Sequence, residues 1–419
     1  MKFFKTLSKK ENPIGASTFS AGTREIGGAK EGIALIKDGY EKNVIVYRAI
    51  REVAGAASSI SFGLFDKAGN EIETHPILDL ISRPNPASGG AAFFDEIFTN
   101  FCLFGEIAIA KSGLATSKEP RELWSVSPIE VKIEPGASGF PRAYVHAKNN
   151  VTTRFPVDQV SGYSDLFFMK TYNPLDYWRG MPPLRAAALA ADAHNEGLLW
   201  NYSMMRNGAR PSGVIKTPGA SPSAEVIERL REWFKATMQG GNNAGEVGIL
   251  TGGAEFISLS ENAKDMDFIL GMKEFSKYVS SAFGVPLPLI DNDAASFNNM
   301  EQAKERLWTD TVLPLVRRFL DSFNAWLKYF YGDGLTLKIN EDAIPALEGL
   351  RNKRFERTVK AQEAGLITIN EAREQIGFDK SKEENADKLF ISGGSVPLSI
   401  ADVGYDPTEA APPVDDQAV

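Results

Sequence analysis

The chain has 419 residues, 43% hydrophobic and 24% charged, with a single cysteine, Cys102. At roughly 150 residues per domain, this allows two or three domains or one elongated subunit of several parts. It excludes disordered and collagenous chains, intrachain disulfides and Cys-based zinc clusters. With 46 basic against 54 acidic residues the formal charge is -8. The chain as a whole therefore lacks the basic excess of a protein that grips nucleic acid by its phosphates. Nucleic acid is either irrelevant to it or must pass without sticking.

No stretch reaches the ~20 uncharged apolar residues of a bilayer span, because the longest candidate, 98–110, is broken by Asn100, Gly105 and Glu106. The apolar patch in MKFFKTLSKK is too short for a signal-peptide core, so an intracellular protein is expected.

Residues 1–39 show no sustained period and read as a flexible arm. Tyr40 opens the ordered part, with Val44, Tyr47, Ile50 and Ala54 at helical spacing. A strand is expected over 60–65. A helix is expected over 91–104, with Phe94, Ile97, Phe98 and Phe101 on one face and Ser88 as its cap. Short strands follow at 106–111, 122–126, 130–134 and 142–146, punctuated by Gly and Pro, which makes this part α+β. Pro182 and Pro183 then open an Ala- and Leu-rich helix over 184–205, ended by Gly208, Pro211 and Gly213.

Residues 213–260 read as a small module. It has a strand at 213–217, a helix capped by Ser221 with Pro222 first, the loop Gly240-Gly241-Asn242-Asn243, and strands at 246–251 and 255–259. The helix face is Ile227, Leu230, Phe234 and Met238. A second long helix is expected over 263–283, with Phe268, Met272, Phe275, Val279 and Phe283 as its apolar stripe. Gly284-Val285-Pro286 stops it, and an irregular polar loop, 286–299, follows. A third helix spans 300–331 and is expected to kink near Pro314. After a return strand at 335–339, two helices within 341–378 are split by Gly365, and Thr368 with Glu371 has capping-box spacing. From 391 on there is no Lys or Arg, and 390–419 reads as a disordered acidic tail.

The search for enzyme chemistry finds little. There is no G-x-x-x-x-G-K-[ST] and no G-x-S-x-G. His75, His146 and His194 have no metal-ligand spacing, and each reads as structural or solvated. Cys102, inside an aromatic run, reads as a buried small hydrophobe. Asp291 and Asp293 form a D-x-D, but no third acid or lysine accompanies them, so a solvated loop is expected rather than a metal site. Arg351, Lys353, Arg354, Arg357 and Lys360 read as a solvated or intersubunit helix face, with nucleic-acid contact as the alternative. Phe319, Phe323, Trp326, Tyr329 and Phe330 recur at helical spacing and read as packing. No enzymatic activity and no cofactor are expected.

Two long helices around a small insertion, then a polar loop and a third long helix, resemble the portal protein family of tailed bacteriophages. The likeness is to its compact branch, used by long-tailed phages and gene transfer agents. It rests on Tyr-Trp-Arg-Gly-Met-Pro-Pro-Leu at 177–184, Ala-Arg-Pro-Ser-Gly-Val at 209–214, and Asp267-Phe268 through Phe275 into Phe-Gly-Val-Pro at 283–286. Gly-Leu-Ile-Thr-Ile-Asn-Glu-Ala-Arg at 365–373 completes it. The resemblance implies a wing at 40–183 with a return strand at 332–340, and stem helices at 184–207 and 263–285. It further implies a clip at 208–262, a tunnel loop at 286–299, a long tunnel helix at 300–331 and a short helical crown at 341–389.

The function it implies is a ring of twelve at one capsid vertex. Double-stranded DNA passes through it during packaging and ejection. Terminase large subunit, head-tail connector and major capsid protein are the implied partners, and the virion is the implied location. A tunnel loop carrying Asp291, Asn292, Asp293, Ser296, Phe297, Asn298 and Asn299 would line the channel. The clip end, with Trp233, Phe234, Gly240, Gly241, Asn242 and Asn243, would dock partners. The competing readings are a monomeric metal-dependent nucleic-acid enzyme using Asp291 and Asp293, and a soluble helical adaptor.

Overall fold

Helix α1 (Val44–Ser58) starts where Asn43 turns the chain out of a π-helical segment, Leu35–Glu41. The Asn43 carboxamide oxygen accepts from the backbone N–H groups of Ile45 and Val46, both at 3.0 Å, and so satisfies two donors the helix leaves open. The computed structural model describes residues 33, 35–113, 118–136, 140–206, 213–216, 223–238, 255–258, 268–291, 297–391 and 396–397. The chain divides into two compact units, Met1–Asn340 and Glu341–Val419.

In the first unit α1 is followed by β1 (Phe62–Phe65), α2 (Pro76–Ser82) and α3 (Gly90–Phe104). Ser88 does not cap α3: Gly89 holds the cap position, and the Ser88 hydroxyl donates to Asn85 Oδ1 at 3.0 Å. Asn85 also accepts from the N–H groups of Ala87 and Ser88, and its Nδ2 donates to Leu123 O, so this side chain organises the turn. Gly105 ends α3 at φ 69°, and a Cβ there would lie 2.6 Å from Met181 O. Only glycine lets α3 turn directly into β2.

Strand β2 (Glu106–Ser112) runs between β3 (Glu122–Val126) and β7 (Leu166–Lys170), antiparallel to both. A second antiparallel sheet is formed by β4 (Val131–Pro135), β5 (Pro141–Lys148) and β6 (Val151–Pro156). Ala108, Val126, Val131 and Leu166 make a shared core, with Tyr144, Phe155 and Phe168 packed against it. Beyond the sheets come α4 (Pro183–Arg206), β8 (Gly213–Lys216), α5 (Ala224–Met238), β9 (Glu255–Ser258) and α6 (Phe268–Ala282). Strands β8 and β9 pair antiparallel. The expected cap Ser221-Pro222 and the expected strand 246–251 lie outside the described residues.

The single long helix expected over 300–331 is three segments: α7 (Phe297–Arg306), a π-helical stretch Leu307–Val312, and α8 (Leu313–Tyr331). Pro314 explains the break. It has no N–H to donate, and its ring crowds the carbonyl four residues back. A π turn just before it shifts that carbonyl away, and proline then occupies the first turn of α8, where no donor is needed. The aromatic run is core, as its spacing implies. Phe319 and Phe323 stack at 5.0 Å, Phe167 of β7 meets both edge-on, and Trp326 Nε1 donates to Ser164 O at 2.8 Å. Tyr329 is the exception; it is half exposed and stacks on Tyr163 at 3.5 Å. β10 (Thr336–Ile339) then closes back on β1, antiparallel, with Phe62 opposite Ile339 and Leu64 opposite Leu337.

The second unit holds α9 (Glu348–Glu363), α10 (Ile369–Gln375) and the short pair β11 (Phe390–Ile391) and β12 (Val396–Pro397). Gly365, at φ 71°, closes α9. Its N–H donates to Gln362 O and that of Leu366 to Ala361 O, which satisfies two otherwise open carbonyls. The capping box at Thr368 and Glu371 forms as its spacing implies.

Candidate functional site

The region that sets this chain apart from a self-contained globule is the pair α4 and α6, which pack along each other. The approach to α4 is pinned by a buried ion pair. Arg179 Nη2 lies 2.9 Å from Glu106 Oε2, and the side chains are 6% and 1% exposed. Glu106 Oε1 accepts from Gly180 N at 2.6 Å, and Arg179 donates to Val131 O and Pro128 O at 2.9 and 3.0 Å. Burial pushes the Glu106 carboxyl up to about 7; Arg179 pulls the other way without cancelling it. The Gly180 backbone sits so close to Gly105 O that a Cβ would lie 2.3 Å away. Thr171 Oγ1 completes the anchor by donating to Met181 O at 2.7 Å.

A second polar knot holds the middle of α4. Asn43 Nδ2 donates to Ala191 O at 3.1 Å and to Asn195 Oδ1 at 3.0 Å. Asn195 Nδ2 donates to Asp38 O at 2.6 Å. Residues 35–39, expected as the end of a flexible arm, are instead the first part of the helical segment Leu35–Glu41, which is tied to α4 through Asp38 O. His194 is buried beside Asn43, and burial lowers its pKa. The contacts between α4 and its neighbours use small residues: Ala187, Ala188 and Ala191 are buried.

The far part of α4 is different. Leu198, Tyr202 and Met205, at i, i+4 and i+7, form one stripe flanked by Leu199, and all four are exposed, Tyr202 by 62% and Met205 by 72%. On α6, Leu270 and Tyr278 are each 59% exposed. The sequence shows the long helix but not which side stays open; the spacing of 198, 202 and 205 against the alanines is the signal that separates the two faces.

After α6 the chain turns at Gly284, φ +68°, whose O accepts from Thr311 Oγ1 at 2.7 Å. A 3-10 turn, Leu287–Leu289, buries Leu289 and packs against α7. The two ends of segment 292–296 are therefore held together. Asp291 is half-buried at the end of that turn, its N–H on Leu287 O at 2.9 Å. Asn292, Asp293 and Ser296 lie outside the described residues. Phe297, Asn298 and Asn299 begin α7, with Asn299 exposed. In the insertion between α4 and α6, Trp233 is half-buried in α5 and Phe234 follows it in the helix. Gly240, Gly241, Asn242 and Asn243 lie outside the described residues.

The remaining chemistry-bearing side chains have structural surroundings. His75 caps α2 by accepting from Ile77 N, and His146 lies 3.2 Å from Glu130. Burial pushes the Cys102 thiol up to about 12. Among the described residues no three His, Cys, Asp or Glu side chains cluster as a metal site requires, and no helix is long and apolar enough to cross a membrane.

Residues 44–377 match the family model described as phage portal protein, and the chain belongs to that family. Within it, the chain is similar to a chain in the neck of an empty gene transfer agent particle computed with C6 symmetry, at 28% identity and a TM-score of 0.65. That match covers 86% of this chain and 98% of the other. It is also similar to a chain in the neck of a native gene transfer agent particle computed with C12 symmetry, at 28% identity and a TM-score of 0.62, covering 83% and 94% of the two. An uncharacterised protein of Rickettsia bellii is 33% identical over 353 residues, 83% of this chain and 89% of the relative.

Proposed function

We propose that twelve copies of this chain close into a ring at one vertex of a capsid. Double-stranded DNA enters and leaves through its centre. The observation that carries this is the uncovered stripe of Leu198, Tyr202 and Met205 with Leu199 on α4, together with exposed Leu270 and Tyr278 on α6. Apolar rows of this kind are stabilised by burial, and a closed ring buries the same row in every copy. The C12 symmetry of the similar neck supports twelve. Subunits of charge -8 repel a duplex instead of binding it, which favours sliding. Tyr202→Asp with Leu199→Asp tests the interface: ring formation is lost while the far-UV spectrum of the monomer stays native. Rings of normal size from this variant contradict the reading.

Within that ring, segment 286–299, which begins with the Leu287–Leu289 turn and ends in the first turn of α7, lines the channel. Asp291, Asn292, Asp293, Ser296, Asn298 and Asn299 offer short polar groups, while the two acids prevent tight pairing with phosphate. Phe297 packs on the neighbouring copy's loop. The clip end, with Trp233 and Phe234 on α5 and the Gly240-Gly241-Asn242-Asn243 loop, docks the terminase large subunit and later a head-tail connector. The wing meets the major capsid protein.

A further inference from the structure

A closed ring repeats one head-to-tail contact, so every copy must offer two unlike surfaces, one to each neighbour. The stripe of Leu198, Tyr202 and Met205 on α4 is one of them. The other has to lie elsewhere on the chain, and the loop between β7 and α4, residues 171–182, has the features it needs. Within six positions that loop bears Tyr172, Leu175 and Tyr177, exposed by 83%, 84% and 65%. Large apolar side chains grouped and bared in this way mark contact surfaces, and aromatic residues are enriched there.

The loop is held rigid. Thr171 N donates to Gly105 O at 2.8 Å, and Thr171 Oγ1 donates to Met181 O, which draws the two ends of the loop together. Buried Asn173 accepts from Leu175 N at 3.0 Å. Asp176 Oδ1 accepts from Trp178 N and Arg179 N at 2.8 and 3.2 Å. These two turns and the Arg179–Glu106 pair fix the backbone around Leu175. Trp178 meets the Tyr177 ring edge-on at 5.0 Å, and Lys170 Nζ lies 5.4 Å from the same ring. A loop already pinned loses little further freedom on binding, so burial of its apolar side chains is expressed as affinity.

Helix α4 itself has two unlike sides. Leu189, 65% exposed, lies about 9 Å along the helix from Pro183. At about 100° per residue it projects about 140–180° away from Leu198, Tyr202 and Met205. One helix thus bares apolar residues on opposite sides, as a head-to-tail contact requires.

We propose that Tyr172, Leu175 and Tyr177, with Leu189, form the second ring surface and seat on the adjacent copy of this chain, while the Leu198–Met205 stripe meets the copy on the other side. The inference rests on the ring reading. The occupant is a second copy because the loop runs directly into α4, the helix whose stripe lies in the ring contact, and is locked to its start through Thr171 and Arg179.

Photo-cross-linking tests this with full-length chains carrying Leu175→p-benzoylphenylalanine, in rings assembled from an equal mixture of ordinary and heavy-isotope-labelled copies. Peptide pairs that join an ordinary to a labelled chain are expected. Pairs within one chain only overturn the proposal, as does capture that appears only when the major capsid protein is added. A second variant, Tyr172→Ser with Leu175→Ser, alters two side chains that are more than four-fifths exposed, so the urea midpoint of the monomer should not move. The protein concentration at half-assembly, read by mass photometry, should rise at least about tenfold. Unchanged assembly by this variant overturns the proposal and leaves the ring standing. A parent chain that forms no rings overturns the ring itself, and this contact with it.

Discussion

Replacing Arg179 by Met should destabilise the first unit in a pH-dependent way. The substitution keeps most of the volume but removes the counter-charge 2.9 Å from Glu106 and leaves Val131 O and Pro128 O without their donor. The lost donors cost about 1–3 kcal/mol per carbonyl at any pH. The charge adds a second, titrating loss. In the parent, burial holds the Glu106 pKa near 7, above its ordinary 4.5. The native state therefore keeps a proton that the unfolded state releases between those values, and the group's contribution to stability falls with rising pH across that window and levels off above about 7. Without Arg179 the carboxyl stays protonated further up, so the variant goes on losing about 1.4 kcal/mol per pH unit above 7 while the parent does not. Between pH 6 and pH 8.5 the gap between variant and parent should widen by about 2 kcal/mol. Urea unfolding at both pH values, at one protomer concentration, measures it. A gap of equal size at both would refute a charged pair at this position.

Other substitutions follow the same logic. Gly284→Ala forces a left-handed backbone and sets a Cβ 2.5 Å from Thr311 Oγ1; a loss of at least about 1–2 kcal/mol is expected in urea unfolding. Thr368→Ala removes one arm of the capping box and should cost about 0.5–2 kcal/mol, read as faster amide exchange in α10. Burial lowers the pKa of His194, so the unfolded state takes up a proton before the native state does; stability should fall as pH drops below its ordinary 6.5, and His194→Gln should flatten that slope. Asp291→Lys with Asp293→Lys shifts the net charge by roughly +48 around twelve copies and should make DNA retention strongly salt-dependent; packaging and ejection unchanged across salt would remove the loop from the channel.

Local chemistry was readable along most of the chain. The helix over 90–104, the strand at 122–126 and the Thr368 capping box follow from apolar period and cap spacing, which act within a few residues. Ser88 shows where that reasoning fails: a cap-forming hydroxyl was captured by Asn85, one turn earlier, which is itself tied to β3. The π-helical stretch before Pro314 replaced a simple kink because a π turn moves away the carbonyl that the proline ring would crowd. What no local pattern contains is long-range pairing. Glu106 and Arg179 meet across 73 positions, and Asn43 reaches Asn195 across 152. Of the site, the order of the long helix α4, the strand–helix–strand insertion and α6 was legible, but the open face of α4 was not. It depends on which side Ala187, Ala188 and Ala191 turn inward.

The central claim is the closed ring, and imaging the purified full-length protein by native mass spectrometry and negative stain, in near-neutral buffer at high concentration, tests it most directly. The account predicts rings of twelve with a central channel. Monomers alone, with the α4 stripe still exposed and no ring on the grid, would contradict it.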